Sequence, residues 1–529
     1  MSSAPKAQQY PAFRQGQMPD ARSPASREQH TYGQILKSSA LIGGSSAFTI
    51  AIGIIRTKAM AVLLGPAGVG LLGLYNSILD LALSIAALGI NSSGVRQIAE
   101  AMGSGDSKRV ALTAVVLRRT AAVLGIVGAA VLAMLSFRIS DLTFGTEEHA
   151  GAVAMLAFAL FFKLVADSQA ALVQGMRRIA DLAKLGVLGA LIGTVVSIGF
   201  IYVLGESGIA LALAGNAAML LSASWWYSRK VHIEKPSLAF SKVREEAASL
   251  LRLGLAFMGS AFLMMGAAYA VRAIVLRTEG VDAAGFYQAA WTLGGLYVGF
   301  ILQAMGADFY PRLVGAAEDH TECNRLVNEQ AHVSLLLAGP GVLATLTLAP
   351  LVIDLFYTAK FAEAVEVLRW ICLGMGLRVM TWPIGYIIVA KNKRLLFFGT
   401  DLAWTVVNVW LAWICINSFG LAGAGVAFFC SYVFHGLIVY PIVWRLTGFR
   451  LSADNMKTAL LFLLLSGGVF SGFHLLPPLA AAVIGALGMA FSTVYSIRVL
   501  LDLVSAEQIP QPIQRLLLRF RFLRSRANH

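Results

Sequence analysis

The sequence predicts an all-α polytopic membrane protein: about fourteen transmembrane helices, arranged as two pseudo-symmetric six-helix lobes with two further helices at the C-terminal end. Three observations predict it. Of 529 residues 57% are hydrophobic and only 13% charged, where soluble domains carry about a quarter charged residues. Apolar segments recur at lengths matching the roughly 20 residues that a bilayer span needs. Glycine-rich turns between them return at a fixed distance along the chain.

The apolar segments run over 36–64, 70–97, 110–136, 150–175, 185–204, 207–228, 250–276, 283–307, 330–353, 363–390, 395–417, 421–444, 457–474 and 479–503. Their orientation follows from Lys and Arg in the short connections, which accumulate on the cytoplasmic side. One set of connections carries Lys108 and Arg109; Arg177, Arg178 and Lys184; Arg229, Lys230, Lys235, Lys242 and Arg244; Arg312 and Arg325; Lys391, Lys393 and Arg394; Arg445, Arg450 and Lys457. The alternate set holds only Arg138, Arg277 and Lys360, beside Asp141, Glu147 and Glu148. Both termini are therefore expected in the cytoplasm, and the net charge of +14 is assigned to topology rather than to nucleic acid. Cys323, Cys372, Cys415 and Cys430 have neither CxxC nor Cys/His spacing, so neither a disulfide framework nor a metal site is expected.

The expected organisation is a disordered cytoplasmic tail over 1–35, an N-lobe over 36–230, a cytoplasmic linker over 231–249 and a C-lobe over 250–446. Two more spans occupy 447–504, and 505–529 is a basic tail. That tail interleaves Leu516, Leu517, Phe520 and Leu523 with Arg515, Arg519, Arg521, Arg524 and Arg526; it reads either as an amphipathic helix on anionic lipid or as an unstructured basic flank.

The lobes are read from a duplication. Gly65 and Gly280 are 215 residues apart, as are Gly70 and Gly285, Gly205 and Gly420, Gly208 and Gly423, and Arg178 and Lys393. Six spans per copy is an even number, so both copies cross in the same sense, related by an axis along the membrane normal. A cleft between such repeats is where transport sites form.

Charges inside the spans point to what that cleft holds. Arg56 sits about nine residues before the first turn, roughly 13 Å deep at 1.5 Å per residue, and a mid-span cation costs at least about 2.5 kcal/mol on insertion scales. Arg56, Lys58, Arg272, Arg277 and Arg378 form a predominantly cationic set in or beside the cleft, with Arg56 and Arg272 at near-equivalent positions of the two lobes. The guanidinium fork matches phosphate oxygens, so this set points to a phosphate-bearing substrate; the alternative is that several of these cations snorkel outward. Lys163 and Asp167, four residues apart, are expected to pair, either as a structural ion pair or as a coupling site, with Asp80 as a second coupling candidate. Asp308 and Asp401 read as snorkelling, and His435 as a packing residue.

Three motifs carry a resemblance to a known family: GPAGVG at 65–70, FYPRL at 309–313 and GYIIVAKNK at 385–393. Over about 36–446 the chain resembles the Wzx-type oligosaccharide flippases, the polysaccharide transporters of the multidrug/oligosaccharidyl-lipid/polysaccharide (MOP) exporter superfamily. The resemblance implies a V-shaped, MATE-like two-lobe bundle in the bacterial inner membrane. It would move undecaprenyl-diphosphate-linked oligosaccharide repeat units to the periplasmic leaflet by alternating access, for O-antigen or exopolysaccharide synthesis. It implies a monomer working beside polymerase and chain-length machinery and surrounding lipids, with no cofactor, and leaves room for proton or sodium coupling. The related lipid II flippases have fourteen helices and are the nearest alternative. A MATE-type multidrug antiporter is the second, although the first span contains no carboxylate. A polymerase or glycosyltransferase would need acids or a large outer loop, the longest expected here being 137–150, and no Walker A sequence is present.

Overall fold

The computed structural model describes residues 24–231 and 240–503. Among them the N-lobe comprises α1 (Pro24–Ala86), α2 (Ile90–Gly103), α3 (Ser107–Met134), α4 (Ser136–Phe144), α5 (Ala150–Gly175), α6 (Ile179–Leu204) and α7 (Ile209–Ser228). The C-lobe comprises α8 (Phe240–Glu279), α9 (Val281–Gly315), α10 (His320–Phe356), α11 (Ala364–Ala390), α12 (Arg394–Phe419) and α13 (Ala422–Thr447), and α14 (Ala453–Leu475) and α15 (Pro478–Leu503) follow. Eleven stretches among the described residues are long and apolar enough to cross a membrane. Two of these, Phe48–Ala86 and Ile179–Ser228, each hold two crossings, and α9 supplies one more, which gives the fourteen that the sequence predicts.

The duplication is written in the backbone. Gly65 (φ 65°, ψ −169°) breaks α1, and its counterpart Gly280 (φ 90°, ψ 179°) starts α9. Gly205 and Gly420 take matching conformations, with φ of 60° and 61°. At the opposite end Arg177 and Asn392, again 215 apart, are left-handed at φ 53° and 55°. L side chains seldom adopt that region, so its recurrence at equal offsets marks one turn made twice.

The copies meet through the glycine turns. A Cβ at Gly70 would stand 2.4 Å from the Val281 carbonyl oxygen, and one at Gly285 would stand 2.0 Å from that of Pro66. Pro66 and Val281 are themselves 215 apart. Each turn thus touches the other through the same pair of positions, the reciprocal contact of a two-fold axis. Each lobe keeps its own packed interior: Met60, Leu79, Leu156, Leu160 and Leu213 in the first, and Val275, Leu343, Leu368, Ile371 and Phe428 in the second. α14 and α15 dock on α10, where Gly339 admits the Phe462 ring and Gly485 lies against Thr347.

Four boundaries differ from expectation. The second span, expected over 70–97, stops at Ala86, where Leu88 (φ 46°) and Gly89 (φ 69°) turn the chain into α2. Gly89 lies so close to the Gly254 carbonyl that a Cβ would come within 2.1 Å of it, and Ser93 Oγ donates to the Leu250 carbonyl at 2.9 Å. Long-range backbone contact, invisible to a hydropathy reading, ends that span. α1 already begins at Pro24, inside the expected tail, with proline in the first turn where its missing N–H costs no bond. α8 begins at Phe240 rather than after a linker to 249, and the expected outer loop 137–150 contains α4. Residues 1–23 of the tail, 232–239 of the linker and the basic stretch 504–529 lie outside the described residues.

Candidate functional site

The second half of α1 joins α8, α9, α11, α12 and α13 around a cavity of about 720 Å³. Gly73, Asn76 and Gln288 form its boundary with a smaller one of about 230 Å³, which Arg56, Thr57, Thr292 and Tyr357 also line. Each of the charged walls has a definite placement.

Arg272, 7% exposed, projects from α8 into the larger cavity. Its Nε donates to Gln288 Oε1 at 2.9 Å and an NH1 proton goes to the Ala268 carbonyl at 2.9 Å. The guanidinium carbon lies 5.7 Å from the ring centres of both Tyr287 and Trp291. Arg378 enters the same cavity from α11, with its carbon 5.9 Å from the Tyr432 ring centre and its Nε without a partner. Trp404, Thr405 and His435 line that cavity too, and their buried Nε1, Oγ1 and Nδ1 atoms likewise have no partner among the described residues. A buried polar group left unmade costs about 1–3 kcal/mol. Four such groups belong to side chains that line one cavity, so this wall carries polar atoms whose hydrogen bonds the described residues do not supply. Arg56 faces the smaller cavity, and no ion pair or hydrogen bond engages its side chain among the described residues.

Two expected site cations lie elsewhere. Lys58 Nζ donates to the carbonyls of Asp354, at 2.7 Å, and of Tyr357. It closes the C-terminal end of α10, where the helix dipole and orphan carbonyls favour a cation. Arg277 is exposed and donates to the Asp141 carbonyl in α4. Both act at the end of the bundle that carries the glycine turns, tying one lobe to the other.

The acids also differ from expectation. Lys163 pairs with Asp80, not Asp167: Nζ lies 2.9 Å from Asp80 Oδ1 across the gap between α5 and α1. Helical side chains lean toward the helix N-terminus, so a lysine preceding its acid by four residues is in the poorer order, and Asp80 takes the bond. Asp80 and Asp401 both line the larger cavity, as does His435. The cavity is therefore mixed rather than predominantly cationic: Lys163 compensates Asp80, while Asp401 shares the space with two arginines. Asp308 lies in α9, where only the backbone is described.

Gln288, Asn76, Trp291, Trp404 and Tyr432 escape a reading that looks for charges. One signal would have found the first of them: Gln288 stands 215 residues from Gly73, and a Cβ at Gly73 would come 2.6 Å from its Oε1. The motifs FYPRL and GYIIVAKNK prove to be structural. Phe309, Leu313, Ile387 and Ile388 share one core, the Tyr310 ring lies tilted against that of Tyr386 with centres 5.3 Å apart, and Lys391 Nζ donates to the Ala317 carbonyl.

Comparisons with known proteins agree with this architecture. The lipid III flippase of Escherichia coli strain K12 is 23% identical over 417 residues, 78% of this chain and 99% of that protein. Among solved structures, an inward-facing multidrug resistance MATE family transporter of the MOP superfamily superposes with a TM-score of 0.65 at 17% identity, over 76% of this chain and 96% of that one. The lipid II flippase MurJ in an inward closed conformation gives 0.63 at 14%, over 87% and 99%. A family described as polysaccharide biosynthesis protein matches residues 59–366. With more than half its length matched, the chain belongs to the polysaccharide biosynthesis protein family, and its helices are those of a multi-pass membrane protein.

Proposed function

We propose that this protein is a flippase for undecaprenyl-diphosphate-linked oligosaccharide repeat units, moving them across the bacterial inner membrane for O-antigen, exopolysaccharide or related surface polysaccharide synthesis. The observation that carries the reading is the larger cavity, in which Arg272 and Arg378 line one space together with Trp404, Thr405 and His435, each of which keeps a buried polar atom with no partner among the described residues. Charge-assisted bonds from guanidinium to phosphate are strong where water is sparse. The faces of Tyr287, Trp291, Trp382, Trp404 and Tyr432 give sugar rings flat apolar surfaces beside that anion site. A volume of about 720 Å³ falls in the range of small-molecule sites, enough for a headgroup while a polyprenyl chain stays in lipid.

Alternating access follows from two lobes hinged about an axis, with the glycine turns as the seal at one end. The Asp80–Lys163 pair, one partner of which lines the cavity, is the place where proton or sodium coupling would act, with Asp167 one turn along the same helix. Both termini are assigned to the cytoplasm by the lysine and arginine distribution.

The test is reconstitution into liposomes with fluorescent undecaprenyl-diphosphate-linked oligosaccharides of different repeat units, measuring transfer between leaflets. Wild-type protein transfers at least one of them, and Arg378→Ala and Arg272→Ala lose most of that rate while remaining folded. Transfer by folded variants at the wild-type rate would remove the anion site, and no transfer of any lipid-linked glycan would remove the function.

A further inference from the structure

Gly73 and Gln288 hold matching positions in the two copies of the repeat and touch each other. A residue can meet its own counterpart only close to the axis that relates them. One copy has glycine there and the other a glutamine, so a single carboxamide occupies space that two larger side chains could not share.

That carboxamide has three engagements. Its oxygen accepts from Arg272 Nε at 2.9 Å, and its nitrogen donates to Thr292 Oγ1 at 3.1 Å. Because arginine is only a donor, the oxygen must face it. Its third engagement is positional: with Gly73 and Asn76 it is the wall shared by the cavity of Arg272 and Arg378 and the smaller cavity of Arg56. Arg272 spends two of its N–H groups on Gln288 and Ala268, leaving three of its five for a ligand.

We propose that Gln288 is a positioning residue on the two-fold axis: it aims Arg272 into the larger cavity and partitions two anion subsites, one built on Arg272 and Arg378 and one on Arg56. The proposal rests on the flippase reading for the nature of the anion, a diphosphate. A phosphate oxygen competing for the Arg272 Nε proton frees the carboxamide to swing, and the partition toward Arg56 opens. Gly73 is what makes the arrangement possible, since any side chain there drives into the carboxamide.

The experiment uses the full chain in lipid nanodiscs and measures binding of two probes, undecaprenyl diphosphate and inorganic pyrophosphate, alongside glycan-lipid transfer. Gln288→Met keeps the volume but loses the acceptor, and Gly73→Ala displaces the carboxamide without removing it. Each is expected to weaken probe binding by about tenfold, the loss of one hydrogen bond to a charged group. Gln288→Ala combined with Gly73→Ala is expected to bind no more weakly than Gln288→Ala alone, because the three atoms nearest the new methyl belong to the Gln288 side chain beyond its Cβ, which is then gone. A merely structural role for Gln288 predicts additive losses together with a lowered melting temperature.

Wild-type affinity in Gln288→Met, or additive losses in the double variant, overturns the positioning role while leaving the flippase reading intact. Binding of pyrophosphate with the expected non-additivity, but no transfer of glycan lipids, overturns the flippase reading and keeps the positioning role. If wild type binds neither probe, both fall.

Discussion

The two lobes are copies of one scaffold in which a cation at one matched position is neutralised in the first copy and left without an acid partner among the described residues in the second. Lys163 of the N-lobe and Arg378 of the C-lobe occupy matching positions, 215 residues apart. Lys163 is neutralised by Asp80 at 2.9 Å, whereas Arg378 lines the larger cavity and its Nε has no partner among the described residues. The walls divide likewise: among the described residues α8, α9, α11, α12 and α13 supply most of the cavity, and the N-lobe contributes Gly73, Asn76, Ser77 and Asp80 from α1. Duplication fixes where a cation can stand. Whether it becomes a structural pair or a ligand group depends on what faces it.

The largest expected effect sharpens this contrast directly. Arg378→Ala is expected to reduce lipid-linked glycan transfer by about 100-fold, the scale of losing charge-assisted bonds worth about 1.5–3 kcal/mol, without loss of stability; Arg378→Lys should recover part of the rate. Comparable loss from Lys163→Ala through transfer alone, with stability unchanged, would break the division of labour between the lobes.

Gly285→Ala comes next. Its methyl would enter the space of the Pro66 carbonyl, so the contact between turns must open at a cost of about 2 kcal/mol, seen as a lower melting temperature and as greater labelling of a cysteine placed at that end. The same substitution at the repeat-equivalent Gly70 should behave alike, since the contact is reciprocal. A marked difference between the two would show that the axis is broken there.

A double-mutant cycle on Asp80→Asn and Lys163→Met should return a coupling of about 1 kcal/mol in thermal stability, modest because both side chains are partly exposed. Zero coupling would mean that the pair does not hold the N-lobe wall. The smallest effect is expected from Lys58→Met, which removes a donor from the end of α10 and should cost about 1 kcal/mol of stability while leaving probe binding unchanged. Weakened probe binding would return Lys58 to the site.

Much of the scaffold was legible because its causes are local. Hydrocarbon thickness fixes the span length, and left-handed turns select glycine, as at Gly65, Gly205, Gly280 and Gly420. The site was legible only in part. Arg272 and Arg378 stand out in the sequence because a mid-span cation is costly, and both line the larger cavity; Lys58, also inside a span, and Arg277, just past the end of one, bond carbonyls at helix ends instead. The partner of Lys163 was misjudged because Asp80 lies 83 residues away and only packing brings it near.

By itself, then, the sequence determined a fourteen-span bundle made of two copies, and which residues were too polar to face lipid. The tertiary structure alone decided which of those residues face each other, which are compensated, and that Gln288 stands on the axis between two cavities. The physical reason is range: transfer free energy and backbone strain belong to each segment, whereas the pairing of a buried charge depends on whatever folding brings within about 3 Å of it.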